Sequence, residues 1–351
     1  MKQIDIAMVG LNWGESIIRN QILDGPASEY FKLAAVCPKE KDRVDACAST
    51  YGVKGYYTLE DLLADETFPA VCLMTGPFGR AAMIQKIVEA DKHVMTTKPL
   101  EVDPSAALKV LELAKSLGRV VHLNSPTPLP SPDLAQILQW RKELSLGRPI
   151  AARADIWSSY RETADGSWYD DPEKCPVAPI FRLGIYLIND LIRLIGKPVA
   201  VSVMSSRLLT GRPTPDNAQI SVMFENGAIA NIFSSFCVND AQWWLSSLTL
   251  NHENGTVYRN VGPSLNGSPR TNPELSVVVN REGAPYTLRA VAEGSTEDYQ
   301  WGAFRRAILG ETLDGELTAE ETVLALRVVR AMSRAEKSGR TEKVQSTLDD
   351  N

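Results

Sequence analysis

The sequence predicts an α/β protein of two domains, a doubly wound parallel sheet followed by an α/β domain with an open, mainly antiparallel sheet. The chain has 351 residues, enough for about two domains. Its first third alternates short apolar runs with helical patterns, the mark of successive βα units. From Ile150 onward apolar residues alternate instead, as at Val199, Val201 and Val203, which indicates strands with one buried face.

Strands are expected at Ile4 to Val9, Phe31 to Val36, Ala70 to Met74, His93 to Thr96 and Val120 to Leu123. Helices are expected between them, from Glu15 to Leu23, Lys41 to Tyr51, Leu59 to Ala64, Arg80 to Ala90 and Ser105 to Leu117, the last stopped by Gly118. Residues 1–124 therefore form the first domain. The proline-rich run SPTPLPSP at 125–132 reads as a joint, and residues 125–351 form the second. There Ile220, Val222 and Phe224 alternate, and Leu248 and Leu250 lead into HENG, an Asn-Gly hairpin signal. A helix near Tyr299 to Leu309 and another opened by a Thr318/Glu321 capping box and stopped by Gly339 close the chain, placed to pack back on the first domain.

Composition excludes several classes. With 44% hydrophobic and 23% charged residues the chain is neither disordered nor collagenous. A net charge of -6, from 37 basic and 43 acidic residues, supplies no basic surface for nucleic acid. No apolar run has the length of a membrane span, and the start MKQIDIAMVG lacks signal-peptide character, so a cytoplasmic location is expected. The five cysteines form no CxxC pair and are expected to be reduced and mostly buried. His93, His122 and His252 are too scattered for a metal site and are expected to be structural.

The first strand runs into Gly10-Leu11-Asn12-Trp13-Gly14-Glu15, where a dinucleotide-binding fold carries GxGxxG. Gly10 suits the tight turn, Asn12 replaces the second glycine and Glu15 the third, while Gly14 restores slack, so Gly10, Asn12, Trp13 and Gly14 are the candidate cofactor contacts. Glu15 suits a helix start but repels phosphate. After the second strand, the acid that would accept the ribose hydroxyls of NAD is replaced by Pro38. With Lys39, Lys41 and Arg43 nearby, the segment tilts toward NADP, or else is a solvated helix start.

Past Thr96-Thr97-Lys98-Pro99-Leu100, the chain resembles the glucose-fructose oxidoreductase/inositol dehydrogenase/rhizopine catabolism (Gfo/Idh/MocA) family. The motifs VGLNWG, YGVKGYYTLEDLL, AVCLMTGPFGR, EADKHVMTTKPL, GIYLINDLIRLIG, ISVMFENGAIA, FRRAILGE and SGRTEKV carry the resemblance in order over nearly the whole length. It implies a Rossmann domain, an α/β domain whose open sheet forms a homodimer or homotetramer, and hydride transfer between NAD or NADP and a secondary alcohol or hemiacetal carbon of a sugar, cyclitol or glycoside. Lys98 matches the family's lysine, which bonds the reacting hydroxyl, although Thr97 replaces the preceding glutamate. Tyr186 places the chain in the tyrosine branch as its acid-base residue, with Asn189 or Asp190 orienting it or the substrate. Thr75, Gly76, Pro77 and Asn124 match cofactor-lining positions, and Arg80, which replaces a frequent histidine, could serve a phosphate or else is a solvated helix-start residue.

The segment around Tyr186 also stands on its own spacing. Arg182, Tyr186, Asn189, Asp190 and Arg193 recur at three- and four-residue intervals within a Leu/Ile-rich helix, giving a polar stripe on a buried rod. Arg182 stands where the family has aspartate; a salt bridge to Asp190 is the expected reason, an anionic substrate the other. Trp168 and Tyr169, just upstream, offer an aromatic wall for a sugar ring. Because Asn12, Glu15, Pro38, Thr97 and Arg182 depart from the pattern, two rival readings stay open. One is a binding or regulatory subunit without turnover; the other is an enzyme recycling a tightly held cofactor in a net non-redox reaction.

Overall fold

The structure, a computed structural model, describes residues 2–160, 162–241, 244–264 and 268–345. In the first unit β1 (Ile4–Val9), β2 (Phe31–Cys37), β3 (Lys54–Gly55), β4 (Ala70–Leu73), β5 (His93–Thr96) and β6 (Val121–Leu123) form a six-stranded parallel sheet in the order β3-β2-β1-β4-β5-β6. This is the doubly wound order, in which the direction of winding reverses between β1 and β4 and opens a crevice at the carboxyl ends of the strands. The short β3 escapes sequence reading because two residues carry no alternation.

The connecting helices are α1 (Leu11–Ile17), α2 (Val44–Tyr51), α3 (Leu59–Leu63), α4 (Arg80–Glu89) and α5 (Pro104–Ser116). Their ends follow local chemistry. Thr58 caps α3 by accepting from the Asp61 N–H at 3.1 Å, and Asp103 caps α5 by accepting from Ser105 at 2.9 Å. Gly118, at φ 67, ends α5. Helix α1 starts four residues earlier than its apolar spacing suggests, and continues as a wide turn through Ile18–Leu23. The cause is Gly10, whose φ of 83 turns the chain directly from strand into helix.

The second unit contributes α6 (Pro132–Glu143), β7 (Pro149–Ser158), α7 (Ile185–Ile195), β8 (Pro198–Ser206), β9 (Asn217–Phe224), β10 (Ile229–Ser235), β11 (Trp244–His252), β12 (Gly255–Arg259), β13 (Glu274–Arg281) and β14 (Ala284–Val291). After α8 (Trp301–Ile308) and α9 (Ala319–Ser338), β15 (Glu342–Lys343) completes a nine-stranded sheet in the order β14-β13-β12-β11-β7-β10-β9-β8-β15. Among the described residues only the β7–β10 ladder is parallel; the other ladders are antiparallel. The hairpin at HENG exists, but its two loop residues are Glu253 and Asn254, and Gly255 opens β12 where a Cβ would lie 2.8 Å from the Val278 carbonyl oxygen.

The compact units are Met1–Leu129 with Tyr299–Glu321, and Pro130–Asp298 with Thr322–Asn351. The return of α8 to the first unit rests on aromatic packing. Phe31 meets Trp301 edge-on at 5.6 Å and stacks with Phe304 at 5.4 Å. Each such fully buried side chain contributes about 1.5–3 kcal/mol. Thr318 and Glu321 form the expected reciprocal cap of α9, and Gly339, at φ 65, follows its end. Among the described residues no helix is long and apolar enough to cross a membrane.

Two histidines make stability depend on pH. Burial pushes His93 and His252 down to about 4. His93 Nδ1 accepts from the Val120 N–H at 3.1 Å, a bond that protonation breaks, and the His252 ring is buried. Both are neutral when folded, while the unfolded chain binds protons from about pH 6.5 downward. Their contribution is therefore complete above that pH and is lost as pH falls through about 4. Urea unfolding between those limits should show stability falling with acidity, and His93→Gln should flatten the slope.

Candidate functional site

In the first unit the candidate residues follow strand ends: Gly10 after β1, Pro38 after β2, Thr75 just beyond β4, Thr97 after β5 and Asn124 after β6. The sheet topology thus brings them to one edge. At Gly10 a Cβ would lie 2.6 Å from the Met74 carbonyl oxygen, and at Gly14 2.9 Å from Met8 Sδ, so both glycines let α1 and β4 approach β1 closely. Asn12, exposed in the first turn of α1, accepts from Arg43 Nη1 at 3.5 Å. The Glu15 carboxylate is occupied by Arg19 at 2.7 Å, Tyr51 at 3.2 Å and Arg43 at 3.4 Å, which offsets its repulsion of a phosphate. Arg43 also pairs with Glu40 at 3.6 Å, leaving Lys39 and Lys41 as the exposed cations after the buried Pro38.

Lys98 is half-buried, and its backbone is held from several sides. Its N–H donates to Asn124 Oδ1 at 3.0 Å, and the Thr97 hydroxyl donates to the same oxygen at 3.3 Å. Arg80, only 1% exposed, donates to the carbonyls of Thr97 at 2.5 Å and of Thr75 and Pro99. Arg80 is therefore a clip joining the loops after β4 and β5, and the phosphate role expected from sequence is corrected: both terminal nitrogens of its guanidinium are taken by backbone carbonyls, while Nε is buried without a partner. Burial lowers its pKa to about 10, so it stays charged at neutrality. Glu101 completes the arrangement by accepting from the Gly79 and Ala81 N–H groups at 3.2 and 2.9 Å, at the start of α4. Arg80→Lys should cost about 1–3 kcal/mol in denaturant unfolding, because one ammonium cannot span these carbonyls.

Tyr299 joins the same edge. Its hydroxyl is in hydrogen-bonding reach of Thr97 and Trp13, lies 3.7 Å from Met74 Sδ, and is pushed up to about 12 mainly by burial. Trp13 itself is 56% exposed, an indole presented beside the glycine turn. The Thr75 hydroxyl oxygen is buried with no partner, and a Cβ at Gly76 would meet the Phe78 ring at 3.2 Å. Pro77 is buried in the same loop. An orphaned hydroxyl, a glycine crevice and free helix-start N–H groups fit a dinucleotide.

In the second unit α7 is almost wholly buried, as its Leu/Ile content requires. Tyr186, 6% exposed, meets Trp244 edge-on at 5.8 Å, and the Trp244 indole donates to Glu297 Oε1 at 3.2 Å. Asn189 is buried one turn further along. Asp190 is 1% exposed; its Oδ2 pairs with Arg259 at 2.7 Å and its Oδ1 accepts from Thr296 at 2.6 Å. Arg259 also pairs with Asp133 at 2.7 Å.

Arg182 lies in the wide turn Ile180–Gly184 before α7 and makes a two-pronged bridge to Glu162 at 2.6 and 2.7 Å. Its guanidinium sits over Tyr169 at 3.9 Å, Phe236 at 4.7 Å and Tyr160 at 4.9 Å. Burial opposes the charge, but hydrogen bonding to Glu162 together with Coulomb attraction from Tyr169, Glu162 and Tyr160 more than offsets it and holds the pKa above the usual arginine value. Trp168 stacks obliquely on Tyr169 at 4.1 Å. Arg212 fastens the same segment through Asp170 at 2.5 Å and Asp165 at 3.1 Å, and hydrogen bonds from Ser167 and Arg212 lower Asp165 to about 2.

Two sequence models match this chain. Residues 4–125 match the oxidoreductase family with NAD-binding Rossmann fold, and residues 134–258 match the GFO/IDH/MocA C-terminal domain. The chain belongs to the Gfo/Idh/MocA oxidoreductase family. The uncharacterized oxidoreductase YdgJ of Escherichia coli (strain K12) is 24% identical over 224 residues, 61% of this chain and 60% of that protein. The D-xylose 1-dehydrogenase (NADP(+)) 2 of Haloferax volcanii is 23% identical over 318 residues, 89% of this chain and 92% of that protein. The chain spans 54–60% of the first curated relatives it matches. A levoglucosan dehydrogenase solved with NADH and levoglucosan shares the fold at TM-score 0.77 and 14% identity, covering 99% of this chain and all of that one.

Within the Gfo/Idh/MocA frame, three further corrections follow. The expected Arg182–Asp190 bridge is not formed, because Arg182 pairs with Glu162 and Asp190 with Arg259, both distant in sequence. Asp190 is correspondingly an anchor of α7 rather than a group facing a reactant, since both its oxygens are engaged inside the protein. Tyr169 is likewise a bed for Arg182. Sequence reasoning missed Glu162, Arg259, Trp244 and Tyr299, none of which carries a local motif.

Proposed function

We propose that this chain is an NAD(P)-dependent dehydrogenase acting on a secondary alcohol or hemiacetal carbon of a carbohydrate-like molecule. The observation that carries the reading is Lys98, presented at the carboxyl edge of the first sheet with its flanking backbone held by Asn124 and Arg80. A bound nicotinamide supplies the hydride acceptor or donor. Gly10, Asn12, Trp13, Gly14, Thr75, Gly76 and Pro77 line its place, and the Lys98 ammonium bonds the reacting oxygen and favours its alkoxide form by Coulomb attraction. Tyr186 gives or takes the hydroxyl proton, with Asn189 orienting it and Trp168 offering a sugar-facing ring. The names of the xylose and levoglucosan dehydrogenases support a carbohydrate substrate.

Pro38 in place of an acid, with Lys39 exposed beside it, supports NADP over NAD. Met204, Met223 and Ile229, exposed at 79%, 50% and 56% on the open sheet, support a homo-oligomer through that face. The test is NAD(P)H formation with a panel that includes D-xylose and levoglucosan. Turnover should fall roughly 10²-fold or more in Tyr186→Phe; an unchanged rate removes Tyr186 from the chemistry.

A further inference from the structure

On the second unit's sheet, away from α7, a cavity of about 430 Å³ lies against β12, β13 and β14. That volume suits a small organic molecule. Tyr258, Ser276 and Arg289 are consecutive cross-strand neighbours in register and so share one face of the sheet at its wall. Arg270 comes from the segment between β12 and β13 and is nine-tenths buried. Its Nε donates to Glu274 at 2.9 Å and its Nη2 to the Gly262 carbonyl at 2.8 Å, but Nη1 has no partner.

Such a group is expensive to leave unmet. A guanidinium has five N–H donors and cannot shed its proton at neutral pH, so two unpaired donors in a buried position point to a missing acceptor. Arg289, across the cavity, makes no ion pair among the described residues. The charged groups lining the cavity are Arg270, Arg289 and Glu274, which leaves one net positive charge. Val261, Pro263 and Val291 give the rest of the wall an apolar character.

We propose that this cavity binds a small organic monocarboxylate, its carboxylate received by Arg270 and Arg289 and its carbon body laid against Val261, Pro263 and Val291. A monoanion balances the net charge, and a guanidinium matches the planar carboxylate with paired donors. The Ser276 and Tyr258 hydroxyls are the further donors on that wall. No part of this assignment depends on nicotinamide chemistry.

The test is calorimetric titration of the full chain with sodium benzoate at fixed ionic strength, with benzamide as the uncharged isostere. Saturable benzoate binding is expected, at least about tenfold tighter than benzamide. Arg289→Gln, which alters an exposed side chain and leaves the fold intact, should weaken benzoate roughly tenfold while NADPH affinity stays unchanged. Arg270→Lys should weaken it as well. Absence of saturable benzoate binding, equal binding of benzamide, or unaltered binding by Arg289→Gln overturns the proposal. The NADPH arm reports separately on the dehydrogenase reading.

Discussion

Lys98→Met is expected to lower turnover by about 10²–10³-fold while leaving NADPH affinity within a few-fold of the parent. Methionine keeps the length and apolar stem of lysine but removes the charge that stabilises an alkoxide. The Lys98 main chain is fixed independently of its side chain, by Asn124 and by the Thr97 and Pro99 carbonyls on Arg80, so the loop should hold its shape in the variant. Loss confined to the chemical step, with cofactor binding intact, is the signature of a group acting on the reacting oxygen. A variant retaining turnover within tenfold would place the charge elsewhere.

Arg259→Met should destabilise the second unit by about 3–5 kcal/mol in urea or thermal unfolding. The guanidinium is 1% exposed between Asp133 and Asp190, and its removal leaves two buried carboxylates without a counter-charge. Burial already raises the Asp190 pKa even with Arg259 present. Without the arginine, the folded form would bind protons that the unfolded form releases above about pH 4, so the variant's stability should fall as pH rises from there. Adding Asp133→Asn and Asp190→Asn should recover part of the loss, since amides remove the unpaired charge. A loss below about 1 kcal/mol would show that water reaches the site.

The first sheet was legible because five of its strands are apolar runs of strand length set between helical patterns. Its cofactor edge was legible for the same reason: in parallel βα units, position after a strand fixes position in space. The start of α1 was not, because one glycine's φ decides it while apolar spacing records only the buried face. The side-chain pairings around α7 were less legible still. Periodicity puts Arg182 and Asp190 on one helix face, yet it carries nothing about Glu162, which arrives from the segment after β7, or Arg259, which arrives from β12. Burial then decides, because a charge inside the protein takes whichever opposite charge can be desolvated with it. Arg80 shows the same limit. A helix-start arginine reads as a phosphate ligand or a solvated group, and only the surrounding carbonyls reveal a clip.

Calorimetric titration of the folded chain with NAD, NADH, NADP and NADPH tests most directly whether the first unit is a working nicotinamide site. Saturable binding is expected, with the phosphorylated forms tighter, and Lys39→Ser should weaken NADPH more than NADH. If none of the four binds to protein shown to be folded, the edge formed by Gly10, Thr75 and Lys98 has kept its shape without its ligand, and a binding or regulatory role replaces hydride transfer.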